Sequence, residues 1–97
     1  MTILDMFRLT DRVVLITGAS SGMGVSFAVA AAEAGADVVI TARRADRLQQ
    51  TAKAVEAFGR RCLVVPADIS DAAACTTVVK AAMAELGRVD ALVNNAG

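Results

Sequence analysis

The sequence contains no histidine, no tyrosine and no tryptophan, and a single proline, Pro66. Without histidine there is no Ser-His-Asp triad, no Cys-His pair and no His-ligated metal site. Without tyrosine, a mechanism that needs a phenol as general acid is absent from these 97 residues. Net charge is missing too, because ten Lys and Arg balance ten Asp and Glu. No basic surplus exists to attract a nucleic acid or an anionic membrane. The two cysteines, Cys62 and Cys75, are too few for a disulfide scaffold and too widely spaced for a CxxC motif. They read as buried, reduced thiols of a cytosolic protein. No apolar run approaches the roughly 18 residues of a membrane span. Asp5 interrupts the short apolar stretch at the N-terminus, so no signal peptide is read. A soluble, cytoplasmic chain is expected, with neither a metal nor a nucleic-acid partner.

What the chain does have is apolar residues, 56% of the total, enough for the core of one small domain. Short β-branched runs alternate with alanine-rich segments of helical spacing. The runs are Val13 to Thr17, Val38 to Thr41, Cys62 to Val65 (stopped by Pro66) and Ala91 to Val93. They are apolar throughout rather than alternating, which is how strands buried on both faces of a parallel sheet read. Between them, Val25, Ala28, Val29 and Ala32 form one helical stripe, and Leu48, Ala52 and Val55 a second. Cys75, Val78, Val79, Ala82 and Leu86 form the third. Gly35, Gly59 and Gly87 stand where the helices should stop, and Ser70 or Asp71 is placed to cap the third helix. Phe7 and Leu9 are expected to pack on the sheet edge. The alternation predicts right-handed crossovers and an open α/β sheet.

Thr17-Gly18-Ala19-Ser20-Ser21-Gly22-Met23-Gly24 leaves the first strand and enters the first helix. Amides at a helix N-terminus lack intrahelical partners and carry the positive end of the dipole, so this junction suits a pyrophosphate. Gly18 permits the tight turn, Gly22 lets a ligand approach the backbone, and Gly24 allows close packing of helix on strand. Ser20 and Ser21 add hydroxyls for a phosphate or ribose oxygen. The spacing differs from G-x-G-x-x-G. It is not a P-loop either, because no Lys follows Gly22 and the first Lys is Lys53.

Thr17-Gly18-x-x-x-Gly22-x-Gly24, together with Asn94-Asn95-Ala96-Gly97 after the fourth strand, resembles the short-chain dehydrogenase/reductase family over nearly the whole chain. Met23 stands where that family often has Ile. The resemblance implies a Rossmann-type α/β fold, a doubly wound parallel sheet in the order 3-2-1-4 truncated after its fourth strand, whose glycine turn, Gly18 to Gly24, holds the adenosine ribose and pyrophosphate of a nicotinamide dinucleotide. It implies that Asp68, followed by Ile69, accepts a hydrogen bond from the adenine amino group. Asn95, Ala96 and Gly97 would border the cofactor below the nicotinamide ribose and brace the central strands. On local grounds alone, Asp68 reads equally as a loop carboxylate capping the third helix. Asn94 and Asn95 read equally as ordinary turn residues.

An NAD site usually carries an acid about 20 residues past the glycine turn, at the end of the second strand. Asp37 has that count but opens the strand, and the strand ends instead in Thr41-Ala42-Arg43-Arg44. A guanidinium suits a 2′-phosphate, and Arg43 resembles NADP-preferring members of the family. NADP is therefore favoured over NAD, the alternative being a pair of solvated arginines opening the second helix. The family's chemistry, as the resemblance implies it, uses Tyr, Lys, Ser and Asn residues downstream of the Asn-Asn-Ala-Gly motif. No catalytic residue is assigned here. The chain is expected to be the cofactor-binding half of an oxidoreductase acting on an alcohol or carbonyl, a homo-oligomer when complete. The alternative is a nucleotide-binding module without catalysis.

Overall fold

A computed structural model of the chain describes residues 9–20 and 22–95. Strand β1 (Val13–Thr17) is followed by helix α1 (Gly22–Glu33) and strand β2 (Asp37–Thr41). Helix α2 (Ala45–Glu56), strand β3 (Cys62–Val64), helix α3 (Ala72–Leu86) and strand β4 (Ala91–Val93) complete the order. The strands form one parallel sheet, as the alternation predicts, in the order β3-β2-β1-β4 that the resemblance implies. Val13 pairs with Asp37 and Thr17 with Thr41, so β1 and β2 end level with one another.

Each central strand buries side chains on both faces of the sheet. Val14, Ile16, Val38 and Ile40 meet α1 and α2 through Ala28, Ala32, Leu48 and Val55. Val13, Leu15 and Val39 meet α3 through Val78 and Ala82. All five residues of β1 and of β2 are buried, whereas β3 is half-buried and β4 is largely exposed. The uniform apolar character of the runs therefore overstates the burial of the outer two. Their sequence is that of interior strands, but each has a neighbour on one side only.

The helical stripes are partly as predicted. On α2, Leu48, Ala52 and Val55 are buried, joined by Thr51. On α1 the buried face is Gly24, Ala28, Ala31 and Ala32, with Val25 and Val29 only half-buried. The helix is rotated because Gly24, which has no side chain, is the residue pressed against the preceding turn. On α3, Val78 and Ala82 are buried but Val79 is 44% exposed, because among the described residues no second helix flanks α3 on that face. Asp71, not Ser70, caps α3, accepting a hydrogen bond from the Ala73 N–H at 2.9 Å. Gly35, Gly59 and Gly87 all take the left-handed φ expected after a helix. Leu9 packs on the α1/α2 face of the core, and Phe7 lies outside the described residues.

At the amino end of the strands, Asp37 accepts hydrogen bonds from the Arg61 N–H, Nε and Nη2 at 2.9, 3.1 and 2.9 Å. Arg60 adds an ion pair at 3.1 Å. Burial pushes the Asp37 carboxyl up, but the bonds from Arg61 and the charges of Arg60 and Arg61 outweigh it and hold it below the usual range. Cys62 and Cys75 are half-buried rather than buried; desolvation and the nearby Glu56 charge push the Cys62 thiol up to about 12, so it stays protonated. Neither Cys62 nor Cys75 is in a disulfide.

Candidate functional site

Because the strands are parallel, the loops leaving their carboxyl ends meet at one edge of the sheet. Strand order reverses at β1: the chain passes to β2 on one side and later returns to β4 on the other. Open α/β sheets bind ligands in the crevice at such a point. A cleft of about 640 Å³ opens there, inside the roughly 300–1,000 Å³ range of small-molecule sites. Gly18 and Ser20 line it after β1, residues 41–44 at the end of β2, residues 67–70 after β3, and Asn94 and Asn95 after β4.

The glycine turn has the backbone its sequence requires. Gly18 and Gly22 have φ of 64° and 58°, left-handed values that cost little only without a Cβ. A Cβ on Gly22 would meet nothing within 4 Å, so that side of the turn is open to a ligand. A Cβ on Gly24 would run into the Gly18 carbonyl, with the Gly18 carbon at 2.8 Å and the Ala19 Cα at 2.9 Å. Gly24 thus packs helix α1 onto the turn itself rather than onto the strand.

Three distant segments hold this turn. The Ala19 N–H donates to the Thr41 carbonyl of β2 at 3.3 Å. The Thr51 hydroxyl of α2 donates to the Ala19 carbonyl at 2.8 Å. Past β4, the Asn95 side-chain amide donates to the Gly18 carbonyl at 3.3 Å, and its backbone N–H to the Thr17 hydroxyl at 2.9 Å. Thr17 in turn donates to Asn94 Oδ1 at 3.0 Å. The segment bearing the two asparagines is thereby tied to the start of the turn.

Opposite the turn stand Arg43, Arg44 and Asp68, all exposed. Arg44 pairs with Asp46 at 3.7 Å. Arg43 has no carboxylate within ion-pair distance among the described residues, so its charge is available to a ligand. Asp68 accepts from the Ser70 hydroxyl at 2.7 Å and the Ser70 N–H at 3.1 Å, both on Oδ1. These bonds, with the charge of Arg43, hold its carboxyl below the usual range. Asp68 therefore closes the loop before α3 while the cap itself falls to Asp71.

Of the residues singled out in the sequence, Gly18, Ser20, Arg43, Asp68, Ile69 and Asn95 line the cleft. Gly22, Met23 and Gly24 form the first turn of α1 beside it, with Met23 64% exposed. Ser21, Ala96 and Gly97 lie outside the described residues. The structure adds Thr41, Ala42, Arg44, Ala67, Ser70 and Asn94 to the lining. All six sit within a few residues of the carboxyl end of an apolar run, and that position was the signal for them. Thr41 is fully buried and its hydroxyl has no hydrogen-bond partner among the described residues. Thr51 carried no sequence signal, since its contact crosses 32 residues. Among the described residues no cluster of acidic or sulfur side chains converges to hold a metal, and no helix is long and apolar enough to cross a membrane.

The family model for short chain dehydrogenase matches residues 12–97. The chain belongs to the short-chain dehydrogenase/reductase family. A relative in this family, the 2-dehydro-3-deoxy-D-gluconate 5-dehydrogenase of Dickeya dadantii, is 45% identical over 95 residues, covering 98% of this chain and 37% of that protein. The L-sorbose reductase of Gluconobacter frateurii, solved with NADPH and L-sorbose, superposes with a TM-score of 0.89 at 38% identity. That match covers 94% of this chain and 35% of the reductase. The carveol dehydrogenase of Mycobacterium avium, solved with NAD, also gives 0.89, at 31% identity, covering 93% of this chain and 37% of that one. The chain thus spans little more than a third of the length of its family relatives.

Proposed function

We propose that residues 1–97 are the dinucleotide-binding portion of an NAD(P)-dependent oxidoreductase that acts on a small alcohol or carbonyl compound. The observation that carries this reading is the cleft at the strand-order reversal, walled on one side by the open glycine turn and on the other by Arg43, which has no ion-pair partner among the described residues. The donor set fits a dinucleotide. The turn amides and the Ser20 and Ser21 hydroxyls would hold the pyrophosphate, and the side of Gly22 is clear for it. Asp68 Oδ2 would accept from the adenine amino group beside Ile69, since both Ser70 bonds fall on Oδ1. Asn95, Ala96 and Gly97 would border the nicotinamide ribose. Bound there, a nicotinamide supplies or accepts a hydride. The proton donor and its partners, which the family draws from Tyr, Lys and Ser, would lie outside these residues. Cytoplasmic location and homo-oligomer formation complete the reading.

NADP is the preferred cofactor, for a reason of charge. Arg43 offers a permanent cation with planar donors and no carboxylate within ion-pair distance among the described residues, which matches a 2′-phosphate. Charge-assisted bonds of this kind are worth roughly 1.5–3 kcal/mol. In the full-length product of the gene, Arg43→Ala is expected to weaken NADP binding about tenfold or more and NAD binding little, as read by calorimetry. Tighter binding of NAD by the wild type rejects the cofactor assignment. Reading the gene beyond residue 97 for Tyr-x-x-x-Lys and an upstream Ser tests the catalytic half. Dinucleotide binding without that pattern and without turnover would make the protein a nucleotide-binding module instead.

A further inference from the structure

We infer that Thr51 is a positioning residue for the dinucleotide, acting through the glycine turn without touching the ligand. The inference rests on the reading of the cleft as a dinucleotide site. Thr51 is 2% exposed and Ala19 fully buried, and the 2.8 Å bond between them lies in the interior. The Thr51 hydroxyl has one proton, and its other neighbour, the Arg47 carbonyl one helical turn back, is farther away at 3.4 Å. The proton therefore goes to Ala19. In a trans peptide the carbonyl and the following N–H point in opposite directions. Fixing the Ala19 carbonyl toward α2 thus turns the Ser20 N–H away from α2, on the side where Ser20 lines the cleft. Among the described residues that N–H has no acceptor, which leaves it for a ligand oxygen. The neighbouring peptide is pinned at both ends, by Asn95 on the Gly18 carbonyl and by Thr41 on the Ala19 N–H, so the Thr51 bond sets the remaining orientation. A valine has the same shape and lacks the donor. It would leave the carbonyl unpaired and free the peptide to rotate.

The test uses the full-length protein, calorimetry, and two probes. NADP contains the pyrophosphate; adenosine 2′-monophosphate keeps the adenine and the 2′-phosphate but lacks it. Thr51→Val is expected to weaken NADP about fivefold, the scale of one net hydrogen bond, to leave the monophosphate within about twofold, and to be rescued by Thr51→Ser. Equal loss of both probes assigns Thr51 a general structural role and overturns the inference, as does unchanged NADP binding in Thr51→Val. Should that variant fail to fold, the wild type decides: the Ser20 amide resonance is expected to shift on adding NADP and to stay still on adding the monophosphate. A silent Ser20 amide overturns the inference. A wild type that binds neither probe nor NAD removes the dinucleotide reading itself, a result distinct from any of these.

Discussion

Gly22 and Gly24 stand two residues apart and are needed for different reasons. Gly24 is short of space, since its missing Cβ is what lets α1 sit on the Gly18 carbonyl. Gly22 has space around it but a φ of 58°, and it faces the open side of the turn. Gly24→Ala should therefore destabilise the protein, because backbone blocks the new methyl group and either the turn or the helix must shift. Gly22→Ala should cost only about 1–2 kcal/mol for its left-handed backbone while reducing dinucleotide affinity more than tenfold, its methyl group occupying the approach to the amides. Thermal melts and calorimetry on the two variants check this; a Gly22→Ala protein that binds NADP like wild type removes the turn from the site. At the same scale Arg43 and Arg44, adjacent and alike in sequence, are separated by one neighbour: Asp46 engages Arg44, and Arg43 has no carboxylate in ion-pair range among the described residues.

The elements are locked at the amino edge of the sheet by carboxylates, away from the cleft. Asp37, the first residue of β2, ties that strand to the segment leading into β3 through Arg60 and Arg61. Asp90 does the same for β1 and β4, accepting from the Val13 N–H at 2.8 Å while its own N–H donates to the Val13 carbonyl. Bonds from Arg88 and Val13 hold Asp90 below the usual carboxyl range. Both acids are thus more acidic folded than unfolded, where Asp titrates near 3.9. Their contribution is complete above that value and is lost as pH falls through the lower folded-state values. In the full-length protein, Asp37→Asn should lower stability at pH 7 by about 2 kcal/mol, the scale of hydrogen bonds to a charged group. The figure stays modest because the Arg61 side chain is 64% exposed. Below about pH 4 the variant should lose less stability than the wild type, as read from melting temperature against pH. Parallel acid limbs would show that Asp37 is not a source of the acid sensitivity.

For the whole molecule, the two faces of the sheet are unequally covered. Among the described residues, helices α1 and α2 close one face, and α3 is the one helix on the other. Val79 and Met83 of α3 are 44% and 49% exposed, and Leu92 on the edge strand β4 is 61% exposed. An unpaired apolar edge is a template for association. Expressed alone, the 97-residue chain is expected to self-associate, to melt without a sharp transition and to oxidise no NADPH with a panel of ketones. Light scattering, calorimetry and absorbance check these outcomes. A monomer with a sharp melt overturns the stability expectation, and measurable turnover overturns the placing of catalysis outside these residues. The sequence by itself determined the element order, the parallel sheet and the glycine turn. Those follow from local periodicity, from the handedness of crossovers and from glycines at backbone positions that exclude a Cβ. Tertiary structure alone decided the rotation of α1 onto Ala31 rather than Val29 and the hold of Thr51 on Ala19. Each depends on which atoms of separate segments, or of rival neighbours, come within reach. That distance is set by how the helices dock on the sheet, and no local pattern in the chain encodes it.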